Sequence, residues 1–154
     1  MPICRKLKEF LDGRKVRYVV IAHSRAYTAP EVAASAHVKG KNLVKCVIVN
    51  ADGKQYLVAA SANQKVNLQK IKHLLNANEV RLAQESEFAP LFGDCETGAM
   101  PPFGNLYGVP VIADGSLYAA EEIAFSGGNH TTVVKMAFAD FERLVQPLRG
   151  DVAD

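Results

Sequence analysis

The chain has 154 residues, 49% of them hydrophobic, which suits a single domain over residues 1–154 that buries a full core. No apolar run reaches the length of a membrane span, and the charged N-terminal segment lacks the apolar stretch of a signal peptide. The net charge is only +2, yet residues 1–77 carry 14 Lys and Arg against 4 Asp and Glu, whereas residues 78–154 carry 4 against 12.

The uneven charge has two interpretations. A basic half is typical of proteins that bind an anionic partner such as nucleic acid. Alternatively, the basic half pairs with the acidic half within the fold.

The three cysteines, Cys4, Cys46 and Cys95, are far apart and odd in number, which predicts neither a disulfide framework nor a zinc site and fits a reducing cytoplasm. The histidines lack metal-ligand spacing, so we expect no metal and no cofactor.

In the first half of the chain, apolar spacing and turn residues predict helices and strands in alternation. The predicted elements are a helix over residues 3–12 ended by Gly13, a strand at 17–22, a small-residue helix behind a capping box at 28–31, a hairpin of strands 43–50 and 55–61, and a helix that Asn67 caps. Strand 43–50 is apolar almost throughout, which is typical of a buried central strand.

The second half continues the alternation. Strands are predicted at 80–83, 107–113, 122–126 and 132–136, with helices at 85–92 and 138–145. The order of helices and strands is irregular, and a hairpin lies in the middle of the chain. This order favours an α/β fold with a mixed, α+β-like sheet flanked by helices over a doubly wound parallel sheet.

Lys45 is the only charged residue within the apolar strand 43–50. Because side chains alternate along a strand, Lys45 shares a face with Leu43 and Val47, while Cys46 points to the other face. An isolated buried ammonium is costly, so Lys45 either extends its amine to the surface or presents a cation to an anionic or carbonyl group in a pocket. Cys46 is interpreted as a buried structural thiol.

The stretch FSGGNHT, residues 125–131, connects two predicted strands. Gly127 and Gly128 permit positive φ and a close approach of neighbouring backbone. His130 is a candidate acid, base or hydrogen-bonding group. The alternative is an ordinary glycine turn that carries an exposed histidine.

The stretch ETGAMPPFG, residues 96–104, contains no Ser, Cys, His or Lys. Gly98 supplies conformational freedom and an unshielded N–H, and Pro101 and Pro102 fix the backbone behind it. The segment is therefore either a structural turn or a rigid rim whose donors and acceptors are main-chain groups.

Two further observations narrow the class of function. The sequence contains no GxGxxG, Walker A, HExxH or GxSxG motif, so nucleotide-binding, zinc-protease and hydrolase-elbow sites are not predicted. His23, Tyr27 and Thr28 form a small polar cluster after the first strand, where such residues commonly cap helices and form turns.

Three segments in the same order, GKNLVKCVIV, ETGAMPPFG and FSGGNHTTVVKM, resemble those of the YbaK / prolyl-tRNA-synthetase-associated editing-domain family. The resemblance covers essentially the whole chain and implies a compact domain, a distorted mixed β-barrel or sheet flanked by helices. It also implies a cytoplasmic hydrolase that cleaves the ester joining a wrong amino acid to tRNA, usually tRNA for proline. Aminoacyl-tRNA is then the partner, prolyl-tRNA synthetase a candidate second partner, and no membrane is involved.

The family's functional residues carry over position by position. Lys45 matches the family's key lysine, whose implied role is to hold the terminal phosphate or ribose region of the substrate. Gly98 opens the family's GxxxP loop, whose backbone positions the ester carbonyl, and His130 lies in the glycine-rich segment near the pocket, so these three are the expected catalytic residues. The expected substrate-binding residues are His23, Tyr27, Thr28, Ala99, Met100, Pro101, Pro102, Ser126, Gly127, Gly128 and Asn129. Many members have Ala-Lys-Thr where this chain has VKC, so contacts of a threonine at position 46 do not carry over.

An activated ester needs little more than positioning and polarisation of its carbonyl, so no side-chain nucleophile is required. The first hypothesis is a trans-editing deacylase that removes Ala, Ser, Thr or Cys from tRNA for proline. The second is a non-catalytic tRNA-binding or regulatory module of the same fold, which binds tRNA with steep salt dependence but without turnover. A third is a hydrolase of a small ester or amide other than tRNA.

Overall fold

The computed structural model describes residues 3–154, and the protein consists of five α-helices and eight strands within that range. The helices are α1 (Arg5–Gly13), α2 (Ala29–Ser35), α3 (Leu68–Leu75), α4 (Glu85–Phe88) and α5 (Phe138–Val145). The strands are β1 (Tyr18–Ala22), β2 (Leu43–Ala51), β3 (Lys54–Ser61), β4 (Val80–Leu82), β5 (Val111–Asp114), β6 (Glu122–Ser126), β7 (Thr132–Ala137) and β8 (Leu148–Gly150).

The eight strands form one open mixed sheet in the order β1-β7-β6-β2-β3-β5-β8, with β4 pairing to β2 as a branch. The β2–β3 hairpin is antiparallel along its whole length, whereas β2 with β6 and β3 with β5 are parallel pairs. Within residues 3–154 no pairing joins β1 to β8, so the sheet does not close into a barrel. The prediction of a mixed sheet flanked by helices is confirmed.

The strand β2 is the centre of the architecture, as its apolar sequence predicted. It pairs with β3 on one edge, and with β6 and then β4 on the other. The tight turn at its end is made by Asp52 and Gly53, both at positive φ, which matches the right-handed twist of a hairpin. The register pairs Lys45 with Ala60, which fixes where the lysine leaves the sheet.

Phe103 lies at the centre of the largest apolar cluster. Its ring packs on Phe125 of β6 at 5.4 Å, on Phe141 of α5 at 5.5 Å and on Phe10 of α1 at 6.1 Å between centroids. Because Phe103 directly follows the two prolines, its burial anchors segment 96–104 to the core.

The predicted helix starts agree with the structure where a capping side chain marks them. Thr28 accepts the N–H of Glu31 and forms a capping box before α2, and Asn67 accepts two N–H groups at the start of α3. The first helix, by contrast, begins at Arg5 rather than at residue 3, because Cys4 has extended backbone dihedral angles.

Two predictions about the second half were wrong in extent. Residues 107–113 do not form one strand, because Gly104–Tyr107 is a 3-10 turn, Gly108 adopts φ 73 and β5 begins only after Pro110. The helix predicted at 85–92 is instead one α turn, Glu85–Phe88, followed by a 3-10 turn, Ala89–Phe92, that has Pro90 near its start. The short edge strand β8 was not predicted, since LRG carries no apolar alternation.

Some charges of the basic half pair with the acidic half. Arg25 bonds to Glu96 at 2.5 Å, and Lys70 contacts both Asp151 at 3.0 Å and Asp154 at 2.7 Å. Within residues 3–154, no helix combines the length and apolar character needed to cross a membrane.

Candidate active site

A cavity opens where the parallel strands β2 and β6 diverge. The strands pair at Leu43 with Ala124 and at Val44 with Phe125, and the next residue of each strand, Lys45 and Ser126, faces the space between them. The cavity measures about 190 Å³. Its lining consists of Tyr27, Ala29, Val32, Leu43, Val44, Lys45, Cys46, Gly98, Met100, Ser126 and His130.

Lys45 supplies the positive charge of the cavity. The residues beside it on the same face of β2, Leu43 and Val47, belong to two separate apolar clusters, so Lys45 occupies the gap between them. Burial lowers the pKa of its ammonium below the ordinary value, and the ammonium donates a hydrogen bond to the backbone carbonyl of Gln64. The lysine is therefore partly desolvated and held by a main-chain acceptor.

The Gln64 side chain is itself fixed by polar neighbours. Its Nε2 donates to Asp114 Oδ2 at 3.0 Å, and its Oε1 accepts from Ser116 Oγ at 2.9 Å and from the Ser61 N–H at 3.1 Å. Burial opposes ionisation of Asp114, but hydrogen bonds from Ser116, Val152 and Gln64 outweigh it and lower the pKa of this carboxyl. A chain of polar contacts thus connects Lys45 to a buried carboxylate on β5.

Segment 96–104 forms one rim of the cavity. The Ala99 N–H donates to the Glu96 carbonyl at 3.0 Å, and Gly98 has φ 87, as the third position of a type II turn requires. The predicted use of Gly98 for positive φ is confirmed. Met100 is also among the lining residues, and Pro101 and Pro102 lie buried behind the rim.

The rim also presents main-chain donors. Gly98 and Met100 both line the cavity, and no acceptor within residues 3–154 receives a hydrogen bond from the N–H of either residue. Main-chain N–H groups held rigidly beside a pocket can polarise a carbonyl oxygen without any reorganisation. Segment 96–104 therefore contributes two cavity-lining residues whose N–H groups have no acceptor among residues 3–154.

The glycine-rich segment 126–130 is bonded directly to this rim. The Glu96 N–H donates to the Gly128 carbonyl at 2.7 Å, and the Gly128 N–H donates to the Ala99 carbonyl at 2.9 Å. Gly128 has φ 104, and a Cβ at this residue would lie 2.6 Å from the Cβ of Cys4. The two motifs that are distant in sequence thus form one continuous main-chain surface.

His130 strengthens the same connection through its side chain. Its Nε2 donates to the Thr97 carbonyl at 3.0 Å, and its backbone N–H donates to Glu96 Oε1 at 3.1 Å. With the Nε2 proton used in this way, the lone pair of the neutral imidazole lies on Nδ1. The Tyr27 ring packs on the imidazole with centroids 4.6 Å apart and is itself 62% exposed.

The structure brings some of the expected site residues into the cavity wall and places others behind it. Lys45, Gly98, His130, Tyr27, Met100 and Ser126 line the cavity. His23, Thr28, Ala99, Pro101, Pro102, Gly127, Gly128 and Asn129 are not among the lining residues. Several of the latter have structural contacts instead: Thr28 caps α2, and Asn129 Oδ1 accepts from Thr131 and Thr132.

Sequence reasoning did not find the apolar part of the lining. Ala29 and Val32 of α2 and Leu43, Val44 and Cys46 of β2 complete the wall. The capping box before α2 and the small residues that follow it were the available signal, because small side chains let a helix approach a sheet closely. Nothing in the sequence indicated which face of α2 meets β2.

The chain was then compared with known proteins. The aminoacyl-tRNA editing domain family matches residues 23–144. The chain belongs to the aminoacyl-tRNA editing domain family. The matched region of this editing domain contains all eleven lining residues and both glycine motifs.

Several curated relatives are similar over most of this editing domain. The prolyl-tRNA editing protein ProX of Acetoanaerobium sticklandii is 27% identical, and the alignment covers 88% of this chain and 86% of that protein. The multifunctional Ser/Thr-tRNA deacylase ProXp-y of Escherichia coli K12 is 28% identical over 91% of this chain and 83% of that protein. A proline–tRNA ligase of Geobacillus thermodenitrificans is 30% identical over 64% of this chain but only 17% of the ligase.

A solved structure provisionally described as a trans-editing enzyme for prolyl tRNA synthetase has the same fold. It superimposes with a TM-score of 0.83, covers 97% of this chain and 96% of the other, and is 22% identical.

Proposed function

We propose that this editing domain is a free-standing hydrolase that cleaves the ester between a small mischarged amino acid and tRNA, with tRNA for proline as the preferred tRNA. The observation that carries the proposal is a single cavity lined by Lys45 together with Gly98 and Met100 of segment 96–104. The family, and relatives named as a prolyl-tRNA editing protein and a Ser/Thr-tRNA deacylase, support the same reaction class.

The proposed chemistry is positioning and carbonyl polarisation. Lys45 holds the terminal phosphate or ribose region, and the N–H groups of Gly98 and Met100 stabilise the oxyanion that forms when water adds to the ester carbonyl. The carbonyl then re-forms, the ester C–O bond breaks, and the ribose oxygen leaves with a proton from the attacking water. A ribose hydroxyl of the substrate assists the water, and His130 holds the rim through Thr97.

Two lining residues that carry nucleophilic atoms do not suit covalent catalysis. Burial raises the pKa of the Cys46 thiol far above its ordinary value, so the thiolate is not populated near neutral pH. None of the hydrogen bonds within residues 3–154 joins Ser126 Oγ to a basic side chain that would activate it. The reaction therefore proceeds by direct attack of water.

The dimensions of the cavity favour a small side chain. A volume of about 190 Å³ corresponds to about six water molecules at roughly 30 Å³ each. The apolar wall of Val32, Val44 and Met100 excludes larger amino acids by contact, as a hydrolytic sieve requires. We therefore propose Ala, Ser, Thr and Cys as the class of residue removed.

The proposed partner is aminoacyl-tRNA in the cytoplasm, delivered with or without prolyl-tRNA synthetase. Lys39 and Lys41 are exposed just before β2 and form no ion pair within residues 3–154, so they are available for phosphates of the acceptor stem. This contact would make binding depend strongly on salt.

The test is deacylation of tRNA for proline charged with Ala, Ser, Thr or Cys. We expect wild type to hydrolyse at least one of the four, and Lys45→Ala to reduce kcat/KM by about 100-fold or more. Lys54→Ala is the matched control, because it removes an exposed lysine from the far end of the same hairpin. It should retain full activity.

The other outcomes separate the competing functions. Salt-dependent tRNA binding without hydrolysis of any of the four substrates indicates a non-catalytic tRNA-binding or regulatory module. Turnover of small free esters that tRNA does not affect indicates a different hydrolase. Equal deacylation rates for wild type and Lys45→Ala would show that the lysine has no role in the mechanism.

A further inference from the structure

Two cysteines that are 91 positions apart in sequence meet beneath the cavity. The sulfurs of Cys4 and Cys95 and a carboxylate oxygen of Asp94 all lie within 4.8 Å of one another. The Tyr107 hydroxyl donates to Asp94 at 2.7 Å and lies 3.4 Å from the Cys95 sulfur and 3.8 Å from the Cys4 sulfur. The phenol oxygen thus contacts all three groups.

The two sulfurs are unequal in protonation. A hydrogen bond from Cys95 lowers the pKa of the Cys4 thiol even though burial opposes this, and the same bond raises the pKa of Cys95. Cys4 also directly precedes α1, where the positive end of the helix favours a thiolate. Cys4 is therefore the more acidic thiol of the pair and the better nucleophile.

The pair can be reached from the surface. Cys95 is partly exposed, and Asp94 beside it lines an open cleft with residues of α1. Cys4 itself is only 6% exposed, so a small oxidant reaches it through the Cys95 side. Cys46 is half-buried as well, but burial raises the pKa of its thiol, and no hydrogen bond within residues 3–154 joins it to a second sulfur.

We propose that Cys4 and Cys95 are a redox-active dithiol that hydrogen peroxide or an organic hydroperoxide converts to an intramolecular disulfide. The Cys4 thiolate attacks a peroxide oxygen and the O–O bond breaks, which leaves a sulfenic acid on Cys4. The released hydroxide is protonated to water, or, with an organic hydroperoxide, the released alkoxide is protonated to an alcohol. The Cys95 sulfur then attacks the Cys4 sulfur, the S–S bond forms, and hydroxide leaves with the Cys95 proton as water. Two thiols are oxidised; hydrogen peroxide is reduced to two waters, whereas an organic hydroperoxide is reduced to one alcohol and one water.

The disulfide would brace the main chain that carries the cavity rim. The Cys4 N–H donates to the Gly127 carbonyl at 2.7 Å, and Glu96, the neighbour of Cys95, donates to the Gly128 carbonyl at 2.7 Å. Segment 127–128 is therefore held between the two cysteines. A covalent bond between them closes a loop of about 90 residues, which strongly restricts the unfolded chain.

The experiment treats the reduced full-length protein with graded hydrogen peroxide and then maps its thiols. Under denaturing conditions we expect 3 free thiols before oxidation and one afterwards, with a Cys4–Cys95 cross-linked peptide in the digest. The melting temperature of the oxidised protein should rise by about 5–10 °C and return to the original value after dithiothreitol.

Variants distinguish this bond from other oxidation. Cys46→Ala should retain both the cross-link and the thermal shift, whereas Cys4→Ser and Cys95→Ser should lose both. A cross-link that involves Cys46, a disulfide between two chains, or sulfinic acid without any cross-link would overturn the proposal. A Cys4–Cys95 bond that leaves the melting temperature unchanged would overturn the bracing role.

Discussion

The two walls of the cavity differ in how they are held in place. The main-chain wall, residues 96–100 and 126–130, is fixed by backbone hydrogen bonds and by glycines at positive φ. The side-chain wall is fixed by the contacts of Lys45, Gln64, Asp114 and Ser116. The first wall depends on backbone conformation and, at Gly128, on the absence of a side chain, while the second depends on charge. The predictions below exploit that difference, in order of decreasing effect on stability.

Gly128→Ala should cause the largest loss of stability. A Cβ at Gly128 would lie 2.6 Å from the Cβ and 2.8 Å from the sulfur of Cys4, and φ 104 is unfavourable for any L side chain. We expect the free energy of unfolding to fall by about 3 kcal/mol, from backbone strain and overpacking together. Denaturation in urea measures the change.

Gly53→Ala is the matched control for that experiment. Gly53 has φ 85 but no atom within 4 Å of the added Cβ, so only backbone strain remains, about 1 kcal/mol. Equal losses in the two variants would show that contact with Cys4 does not constrain the main-chain wall.

Asp114→Asn tests the side-chain wall through pH. The folded-state pKa of Asp114 lies below its ordinary value of 3.8, so its contribution to stability is fully present above pH 3.8 and is lost as the pH falls through the folded pKa. We expect the variant to be about 1–2 kcal/mol less stable at neutral pH. The difference between the two proteins should shrink in acid.

Unfolding curves at several pH values between neutral pH and pH 2 measure that difference directly. Ionisable groups elsewhere act alike in both proteins, so the difference isolates Asp114. A gap that stays constant down to pH 2 would contradict the assignment of an ionised, hydrogen-bonded carboxylate at this position.

Gly98→Ala should cost little stability but much activity. The added Cβ would meet only His130 Cε1 at 3.6 Å, an ordinary contact, so the loss is about 1 kcal/mol, as for Gly53→Ala. The methyl group would nevertheless enter the cavity rim, and we expect deacylation to fall by about 10-fold or more. Gly53→Ala serves as the control. If Gly98→Ala deacylates tRNA at the wild-type rate, Gly98 has no role in the reaction.

Lys45→Met should leave stability almost unchanged. Burial disfavours the ammonium, as its lowered pKa indicates, so an apolar chain of similar length loses one hydrogen bond to Gln64 but avoids desolvation of a charge. We expect a change within about 1 kcal/mol, measured by urea denaturation. A large loss would mean that the lysine is a structural residue of the side-chain wall.

The sequence allowed the main-chain wall to be predicted better than the side-chain wall. Gly98 and Gly128 signal their backbone conformations locally, and a single lysine in an apolar strand is conspicuous. The hydrogen bonds between segments 96–99 and 128–130, however, join residues about 30 positions apart and depend on tertiary packing. Their existence is not encoded in either segment alone.

The partners of Lys45 were beyond sequence reasoning for the same reason. Gln64 follows β3 and Asp114 ends β5, and neither belongs to a motif. Their contact depends on the parallel pairing of β3 with β5. Likewise, the large separation of Cys4 from Cys95 along the chain concealed their proximity. The two residues meet because the start of α1 lies beside the loop that follows the 3-10 turn at Ala89–Phe92.

The divergence of β2 from β6 has an evolutionary consequence. β3 holds β2 from Val44 to Ala51, while on the opposite edge β6 pairs only as far as Val44 and β4 begins only at Val49. Side-chain substitutions at the four successive lining residues of β2, Leu43 to Cys46, therefore alter the shape of the cavity without breaking the backbone pairing of β2 with β3. If the cavity binds the aminoacyl group as proposed, its selectivity for the amino acid can change while the sheet itself stays the same.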